Sequence, residues 1–122
     1  SLEWSTSNEM RLPLHWTAIL ADQSNLDLAF STGIRSADGV VKALMAGARV
    51  ATFASCLMEK GIGHLETILA DLESWMNRHE YVSIGQFQGV MSYKRVADAS
   101  AYERANYMKE LQSFRPDPTY LR

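Results

Sequence analysis

The part of the sequence that most restricts the fold is a pair of short apolar runs that flank an amphipathic stretch. Leu26–Phe30 is almost entirely apolar and has the length of a mostly buried strand, and Val50–Phe53 is rich in β-branched and aromatic residues. Between them, Ser36 can cap a helix that ends at Gly47. Strand, helix and strand in this order form a βαβ unit, whose strands are parallel in nearly all known cases. The sequence therefore predicts an α/β fold.

Further helices are predicted on both sides of this unit. Pro13 is tolerated in the first turn of a helix, and serine residues that precede Gln or Glu by three positions are typical helix starts. The clearest amphipathic stretch has apolar residues at helical spacing, namely Leu65, Ile68, Leu69, Leu72, Trp75 and Met76. The predicted helices are Leu12–Leu20, His64–Arg78, a short one that opens at the capping box Ser83–Gln86, and Ser100–Ser113.

Composition and charge exclude several classes of protein. Of the 122 residues, 47% are hydrophobic, which is enough for a buried core and argues against intrinsic disorder. The 12 Lys and Arg residues against 14 Asp and Glu residues give a net charge of −2. Nucleic-acid-binding modules usually carry a strongly basic balance or stripe. We therefore expect a single domain that does not bind nucleic acid.

No membrane segment is expected, and the cysteine content indicates a reducing compartment. The most apolar stretch, Val40–Met58, contains Lys42 and Arg49, each of which would cost a few kcal/mol at a bilayer centre. The first ten residues lack the basic and apolar regions of a secretory signal. Cys56 is the only cysteine and cannot form an intrachain disulfide, so we expect a cytoplasmic protein.

Small residues follow both predicted strands. Thr32 and Gly33 come after the first strand, and Ala54 and Ser55 come after the second. Because backbone amides hold a phosphate best where no bulky side chain blocks its approach, these turns are candidates for phosphate binding. Short turns between strands and helices are rich in such residues in any α/β protein, so a purely structural role stays open.

Other motifs give weaker support for a site. Gly61-Ile62-Gly63 resembles the start of a dinucleotide-binding motif, but Glu66 occupies the position of its third glycine and would repel a pyrophosphate. No spacing typical of zinc ligands occurs among His15, His64, His79 and Cys56. Cys56 is better explained as a small buried thiol than as a nucleophile. We predict no catalytic residue and no metal ligand.

Five segments together carry a family pattern: Leu12–Leu20, Ser31–Ile34, Val41–Ala48, Arg104–Lys109 and Leu111–Ser113. They resemble the C-terminal part of the dihydroorotate dehydrogenase-like flavoproteins, and the similarity extends from Trp4 to Phe114. The R-A-N-Y-M sequence that begins at Arg104 is specific to this subgroup. The segment with Ala-Gly-Ala is shared more widely among FMN-dependent barrels.

The resemblance implies a fold and a cofactor. Such proteins are FMN-dependent (β/α)8 TIM barrels, and Leu26–Phe30 and Val50–Phe53 would be strands seven and eight, with flanking and C-terminal helices. The FMN phosphate would be bound by Thr32 and Gly33 and by Ala54 and Ser55. Thr32 and Ala54 both replace glycines that are usual in the family. The barrel part would cover residues 1–114, followed by a tail over 115–122.

The resemblance also implies what this chain lacks. A complete barrel takes about 250 residues, and the catalytic base and the residues that contact the flavin ring and the substrate come from earlier strands. Our leading interpretation is the FMN-phosphate-binding part of an oxidoreductase of pyrimidine biosynthesis. In the full-length relative, hydride passes from dihydroorotate, or a related small-molecule substrate, to FMN.

Two other interpretations stay open. The first is a non-catalytic half-barrel module that forms homo-oligomers through its open sheet edges, because unpaired parallel strands invite pairing. The second is a helical interaction protein built on the apolar stripe of His64–Arg78.

Overall fold

The computed structural model of the protein describes residues 3–93. Helices account for most of this part of the chain, and the strands are short. In chain order, the elements are a 3₁₀ turn at Ser7–Met10, α1 (Arg11–Gln23), β1 (Ala29–Phe30), α2 (Ala37–Ala46), β2 (Val50–Ala51), α3 (Ser55–Lys60), α4 (His64–Arg78) and a 3₁₀ turn at Ile84–Gln86.

The two strands form a parallel pair, as the βαβ pattern predicts. Ala29 lies opposite Val50, and Phe30 lies opposite Ala51. One further ladder bond follows, because the backbone N–H of Thr52 donates to the carbonyl oxygen of Phe30 at 2.8 Å. The carboxyl ends of β1 and β2 therefore lie at the same edge of the sheet.

The expectation of a TIM-barrel portion with strands seven and eight is wrong. The sheet within residues 3–93 has two strands of two residues each, and the rest of this region is mainly helical. A barrel needs strands long enough to pair on both sides around a closed ring. In the first predicted strand, Leu26 and Asp27 are exposed, so only the end of the apolar run enters the sheet. The protein is instead a small, mostly helical domain with one parallel strand pair.

Helix α2 lies at the centre of the domain and contacts both α1 and α4. Its predicted N-cap, Ser36, and its predicted stop, Gly47, are both at the expected positions. Gly47 has a φ of 121°, which favours glycine, and a Cβ there would overlap the Cβ of Ala21 in α1. This glycine therefore ends α2 and also allows α1 to approach it closely.

The core consists of apolar side chains from α2, the strand pair and the inner face of α4. Phe87 is completely buried and makes edge-to-face contact with Trp75, whose ring centroid lies 5.0 Å away. Tyr81 stacks on Trp75 at 5.6 Å and also contacts Phe87 at 5.1 Å, so the three rings form one cluster. The core residues include Met10, Phe30, Ile34, Val40, Val41, Ala43, Leu44, Ala48, Cys56, Ile68, Leu72 and Phe87.

The predicted helices agree with the structure in position, and their lengths differ in places. The helix predicted over His64–Arg78 has these bounds, and α1 is longer than the predicted Leu12–Leu20. The capping box at Ser83 opens only a 3₁₀ turn. Helix α3 was not predicted, because its N-cap is Ala54 and its sequence offers no capping side chain. Ser100–Ser113 and the boundary at residue 115 lie outside the described residues.

Among residues 3–93, no helix is both long enough and apolar enough to cross a bilayer.

Candidate functional site

The two turns that were predicted to bind phosphate come together at one edge of the sheet. Thr32 and Gly33 follow β1, and Ala54 and Ser55 follow β2. Because the strands are parallel and in register, both turns lie beyond the same ends. Ala54 is the N-cap residue of α3, and Ser55 is its first helical residue.

The turn after β1 has an unusual backbone. Thr32 has a φ of 81° and Gly33 has a φ of 76°, so two successive residues are in the left-handed region. A β-branched residue is rarely found there, whereas glycine enters it freely. Thr32 therefore has a backbone conformation that glycine adopts more readily than threonine.

Gly33 is also required for packing. A Cβ at this position would lie 2.6 Å from Cγ of Met10 and 2.8 Å from the carbonyl oxygen of Thr6. The missing side chain thus makes room for the 3₁₀ turn before α1. The sequence predicts a glycine here to give a phosphate access to the backbone. The structure adds a second reason, which is the close packing of Gly33 against Met10 and Thr6.

A cavity of about 240 Å³ lies beside Gly33, between the start of α1 and the start of α2. Of the four residues predicted to bind the FMN phosphate, Gly33 lines this cavity, while Thr32, Ala54 and Ser55 do not. The lining residues are Ser7, Asn8, Met10, Arg11, Leu14, Gly33, Arg35, Ser36, Asp38, Gly39 and Lys42.

The charged residues of the lining give the cavity a positive balance. Arg11, Arg35 and Lys42 face a single acidic residue, Asp38, so the formal charge of the lining is 3 − 1 = +2. The whole chain, in contrast, has a net charge of −2. Basic residues therefore outnumber acidic residues in the lining, which favours an anion over a cation.

Two of the three basic side chains have partners. Nη1 of Arg35 donates to the carbonyl oxygen of Ser5 at 2.9 Å, and Nη2 of Arg35 pairs with Glu59 of α3. Nζ of Lys42 lies 2.8 Å from the carboxylate of Asp38, one turn away in α2. The contacts with Ser5 and Glu59 fix Arg35 at the cavity wall, and Glu59 partly balances the charge of Arg35.

Arg11 is the basic residue with the most freedom to bind a ligand. Within residues 3–93 it makes no hydrogen bond or ion pair, and its side chain is exposed at the start of α1. A guanidinium group has five N–H donors in a fork that matches phosphate geometry. Arg11 can therefore form a two-point contact with a phosphate in the cavity.

The residues fit the phosphate end of FMN better than the whole cofactor. Guanidinium, ammonium and hydroxyl groups line the cavity, which is the donor set that phosphate requires. Pockets that enclose drug-sized ligands usually measure about 300 Å³ or more. This cavity can hold a phosphate group and part of the attached chain, and the flavin ring would extend outside it.

The sequence patterns did not identify Arg11, Arg35 and Lys42 as residues of the site. Arg35 is only two residues from Gly33 and could have been included on that ground. Arg11 is far from Gly33 in sequence, and Lys42 lies one helix turn after Asp38. Only the packing of α1 against α2 brings them together.

Two of the three histidines considered for metal binding have structural contacts, whereas Nδ1 of His15 is buried without a hydrogen-bond partner in the described part of the chain. Nε2 of His64 lies 3.0 Å from the carbonyl oxygen of Arg35, and the ring of His79 stacks on Trp75. Cys56 is a buried free thiol. In the described part of the chain, no group of three or more His, Cys, Asp or Glu residues is arranged to hold a metal ion.

The sequence matches no model of a known protein family, and no curated protein matches it.

Proposed function

We propose that this protein binds a phosphate-bearing ligand in the cavity beside Gly33, and that the ligand is FMN. The observation that carries the proposal is the set of three basic side chains around one cavity in a chain whose overall charge is negative. In this arrangement, Arg11 forms the two-point contact with the phosphate. Arg35 and Lys42 supply further positive charge, and the small lining residues Ser36 and Gly39 leave room for the ligand.

FMN is favoured over other phosphate esters by a resemblance in sequence. The sequence resembles the C-terminal part of dihydroorotate dehydrogenase-like flavoproteins, in which the turn of Thr32 and Gly33 would approach the FMN phosphate. The positive φ of Thr32 supports this resemblance, because it gives the turn the backbone of a glycine pair. FMN supplies the electron acceptor for hydride transfer when it is bound in such proteins.

Catalysis belongs to the full-length relative in this proposal. The resemblance attributes the catalytic base and the substrate contacts to earlier segments of the full-length relative. The role of the residues that line the cavity is therefore to hold the cofactor by its phosphate. We place the protein in the cytoplasm, where its single buried thiol stays reduced.

Self-association through sheet edges is the weaker alternative. β1 and β2 have two residues each, so an edge offers few backbone groups to a second copy. Very short edge strands are one of the devices by which proteins avoid such pairing.

The proposal is tested by comparing FMN with riboflavin, which has the same ring and ribityl chain but no phosphate. Binding is measured by isothermal titration calorimetry with the full chain at low salt. We expect FMN to bind at least about tenfold more tightly than riboflavin, since charge-assisted hydrogen bonds to phosphate are strong and depend on salt. Equal affinities for the two flavins would rule out a phosphate site.

A matched pair of variants locates the site. Arg11→Gln removes the free guanidinium from the cavity, whereas Arg78→Gln removes an exposed arginine at the end of α4. We expect Arg11→Gln to reduce the FMN affinity by about tenfold, a loss equivalent to one hydrogen bond to a charged group. Arg78→Gln should leave the affinity unchanged, and an equal loss in both variants would indicate nonspecific charge attraction.

A further inference from the structure

A row of exposed apolar side chains lies along the first half of α4. Ile62, Leu65 and Leu69 have exposed fractions of 82%, 37% and 55%. Ile62 precedes α4, but the backbone N–H of Leu65 donates to its carbonyl oxygen at 3.1 Å, and Gly63 has helical dihedral angles. The helical path of the backbone therefore includes Ile62. We refer to Ile62, Leu65 and Leu69 as the α4 row.

The spacing of the α4 row is typical of a helix that packs on another helix. Its residues are three and then four positions apart, and the same alternation continues to Leu72 and Met76. This alternation places apolar side chains along one seam, as in the a and d positions of coiled coils. Leu72 is buried and Met76 packs against the core. The domain therefore covers the second half of the seam and leaves the first half exposed.

The two borders of the α4 row differ. With Ile62 at position a of a heptad, Ile68 and Trp75 occupy position g, and both belong to or pack against the core. Glu66 and Glu73 occupy position e on the other border, and both are exposed. Within residues 3–93, neither glutamate forms a hydrogen bond or an ion pair. The open border of the row therefore carries two free carboxylates.

The charge of α4 is complementary to a basic partner. The helix contains Glu66, Asp71 and Glu73 against Arg78, which gives a formal charge of 1 − 3 = −2, and Arg78 is at its C-terminal end. In helix pairs, charged residues at position e form salt bridges across the interface and determine the choice of partner. Lysine or arginine on the facing helix would match Glu66 and Glu73.

A second copy of the protein and an anionic membrane are both poorly suited to the α4 row. In a two-fold dimer the same surface of both copies meets, so the carboxylates of Glu66 and Glu73 would face those of the other copy. Like charges opposite each other disfavour an interface. Helices that lie on membranes usually carry lysine and arginine on their polar side, whereas this border is acidic.

We infer that the α4 row binds an amphipathic helix of a partner protein, and that lysine or arginine residues border the apolar stripe of that helix. The apolar stripe packs on Ile62, Leu65 and Leu69, and the basic side chains pair with Glu66 and Glu73. Anchor residues at i, i+3 and i+7 are typical of recognition between an amphipathic helix and an apolar surface. This interaction does not involve the cavity beside Gly33 and is independent of the proposed binding of FMN.

Two designed peptides of three heptads test the inference. Both have leucine at positions a and d, and they carry either lysine or glutamate at positions e and g, where like charges keep each peptide from pairing with itself. Fluorescence anisotropy measures the binding of each labelled peptide to the full chain at low salt. We expect the lysine peptide to bind at least about tenfold more tightly than the glutamate peptide, and added salt should reduce this difference. Equal affinities, or no binding of the lysine peptide, would overturn the inference.

Two double variants with the same change in charge test the role of the acidic border. Glu66→Gln with Glu73→Gln removes the carboxylates beside the α4 row. Glu3→Gln with Asp71→Asn removes two exposed carboxylates elsewhere, since Asp71 is on the other side of α4. We expect the first pair to weaken binding of the lysine peptide by about fivefold, because two exposed ion pairs are lost, and the second to change it by less than about twofold. Equal losses would indicate nonspecific charge attraction and contradict the inference.

A serine variant tests the apolar contact. Ile62→Ser shortens a largely exposed side chain of the α4 row, and Val82→Ser makes a comparable change at an exposed residue outside α4. Circular dichroism checks that both variants are folded. We expect Ile62→Ser to weaken binding of the lysine peptide by at least about tenfold, because a buried isoleucine contact is lost, and Val82→Ser to leave it unchanged. If sedimentation instead shows a dimer that Ile62→Ser abolishes, the α4 row belongs to a second copy and the inference is wrong.

Discussion

The hydroxyl of Thr32 donates a hydrogen bond to a carboxylate oxygen of Glu9 at 2.9 Å, and it does so from a residue with a φ of 81°. The other oxygen of Glu9 accepts the backbone N–H of Thr6 at 3.2 Å. Glu9 therefore connects the turn after β1 to the segment before α1. Neither Thr32 nor Glu9 lines the cavity that we assign to phosphate binding, but their neighbours Gly33, Asn8 and Met10 do.

The conformation of Thr32 leads to the first prediction. Thr32→Val keeps the β-branched shape in the left-handed region and loses the hydrogen bond to Glu9, so it should destabilise the fold by about 1.5 kcal/mol. Thr32→Gly loses the same bond and relieves the backbone strain. We expect the glycine variant to be about 1 kcal/mol more stable than the valine variant in urea unfolding. A glycine variant that is less stable than the valine variant would show that Thr32 carries no strain.

The close approach of α1 and α2 leads to the second prediction. Gly47→Ala adds a Cβ that overlaps Ala21 and places a side chain at a φ of 121°, so we expect a loss of about 2–4 kcal/mol in the free energy of unfolding. Gly63→Ala is the matched control, because a Cβ there meets nothing within 4 Å and φ is −62°. Ala21→Gly in the Gly47→Ala background should restore part of the lost stability. A loss of the same size in both alanine variants would contradict this contact.

The aromatic cluster at the end of α4 leads to the third prediction. Phe87 is fully buried and contacts both Trp75 and Tyr81, and Phe87→Ala should cost about 3–5 kcal/mol in the free energy of unfolding. Val82→Ala changes an exposed residue of the same segment and should change stability by less than about 0.5 kcal/mol. Thermal unfolding followed by circular dichroism gives both values. A small loss in Phe87→Ala would mean that residues 81–93 do not belong to the core.

The burial of Cys56 leads to the fourth prediction. Its side chain has no exposed surface at the start of α3, so a thiol reagent can reach it only after local or global opening. We expect Ellman's reagent to react with the folded protein at least about 100-fold more slowly than with the protein in urea. Rapid reaction in the absence of urea would show that Cys56 is not buried in the folded domain.

Within residues 3–93, local signals in the sequence predict the positions of α1, α2 and α4 and the pairing of the two strands. Ser36 and Gly47 mark the ends of α2 because a capping side chain and a glycine with positive φ are local requirements. The parallel pairing of β1 with β2 follows from the order of strand, helix and strand.

The extent of the sheet and the composition of the site depend on packing between distant residues. Leu26 is apolar but exposed, because no neighbouring element in residues 3–93 covers it, and the apolar run therefore overstated the strand. The expectation of a barrel was wrong for a related reason, because a resemblance in sequence does not determine how many strands pair. Thr32 and Gly33 could be identified locally, whereas Arg11 reaches the cavity only through the contact of α1 with α2.

The most direct test of the central claim is an NMR titration of the ¹⁵N-labelled full chain with FMN, followed by the same titration with riboflavin. We expect FMN to move the amide resonances of Gly33, Arg35 and Ser36 at the cavity wall. Glu73 and Asn77, on the exposed side of α4, should not move. Riboflavin should produce much smaller changes at the same cavity residues. If FMN leaves the resonances of Gly33, Arg35 and Ser36 unchanged, the cavity is not a phosphate site and the proposed function is wrong.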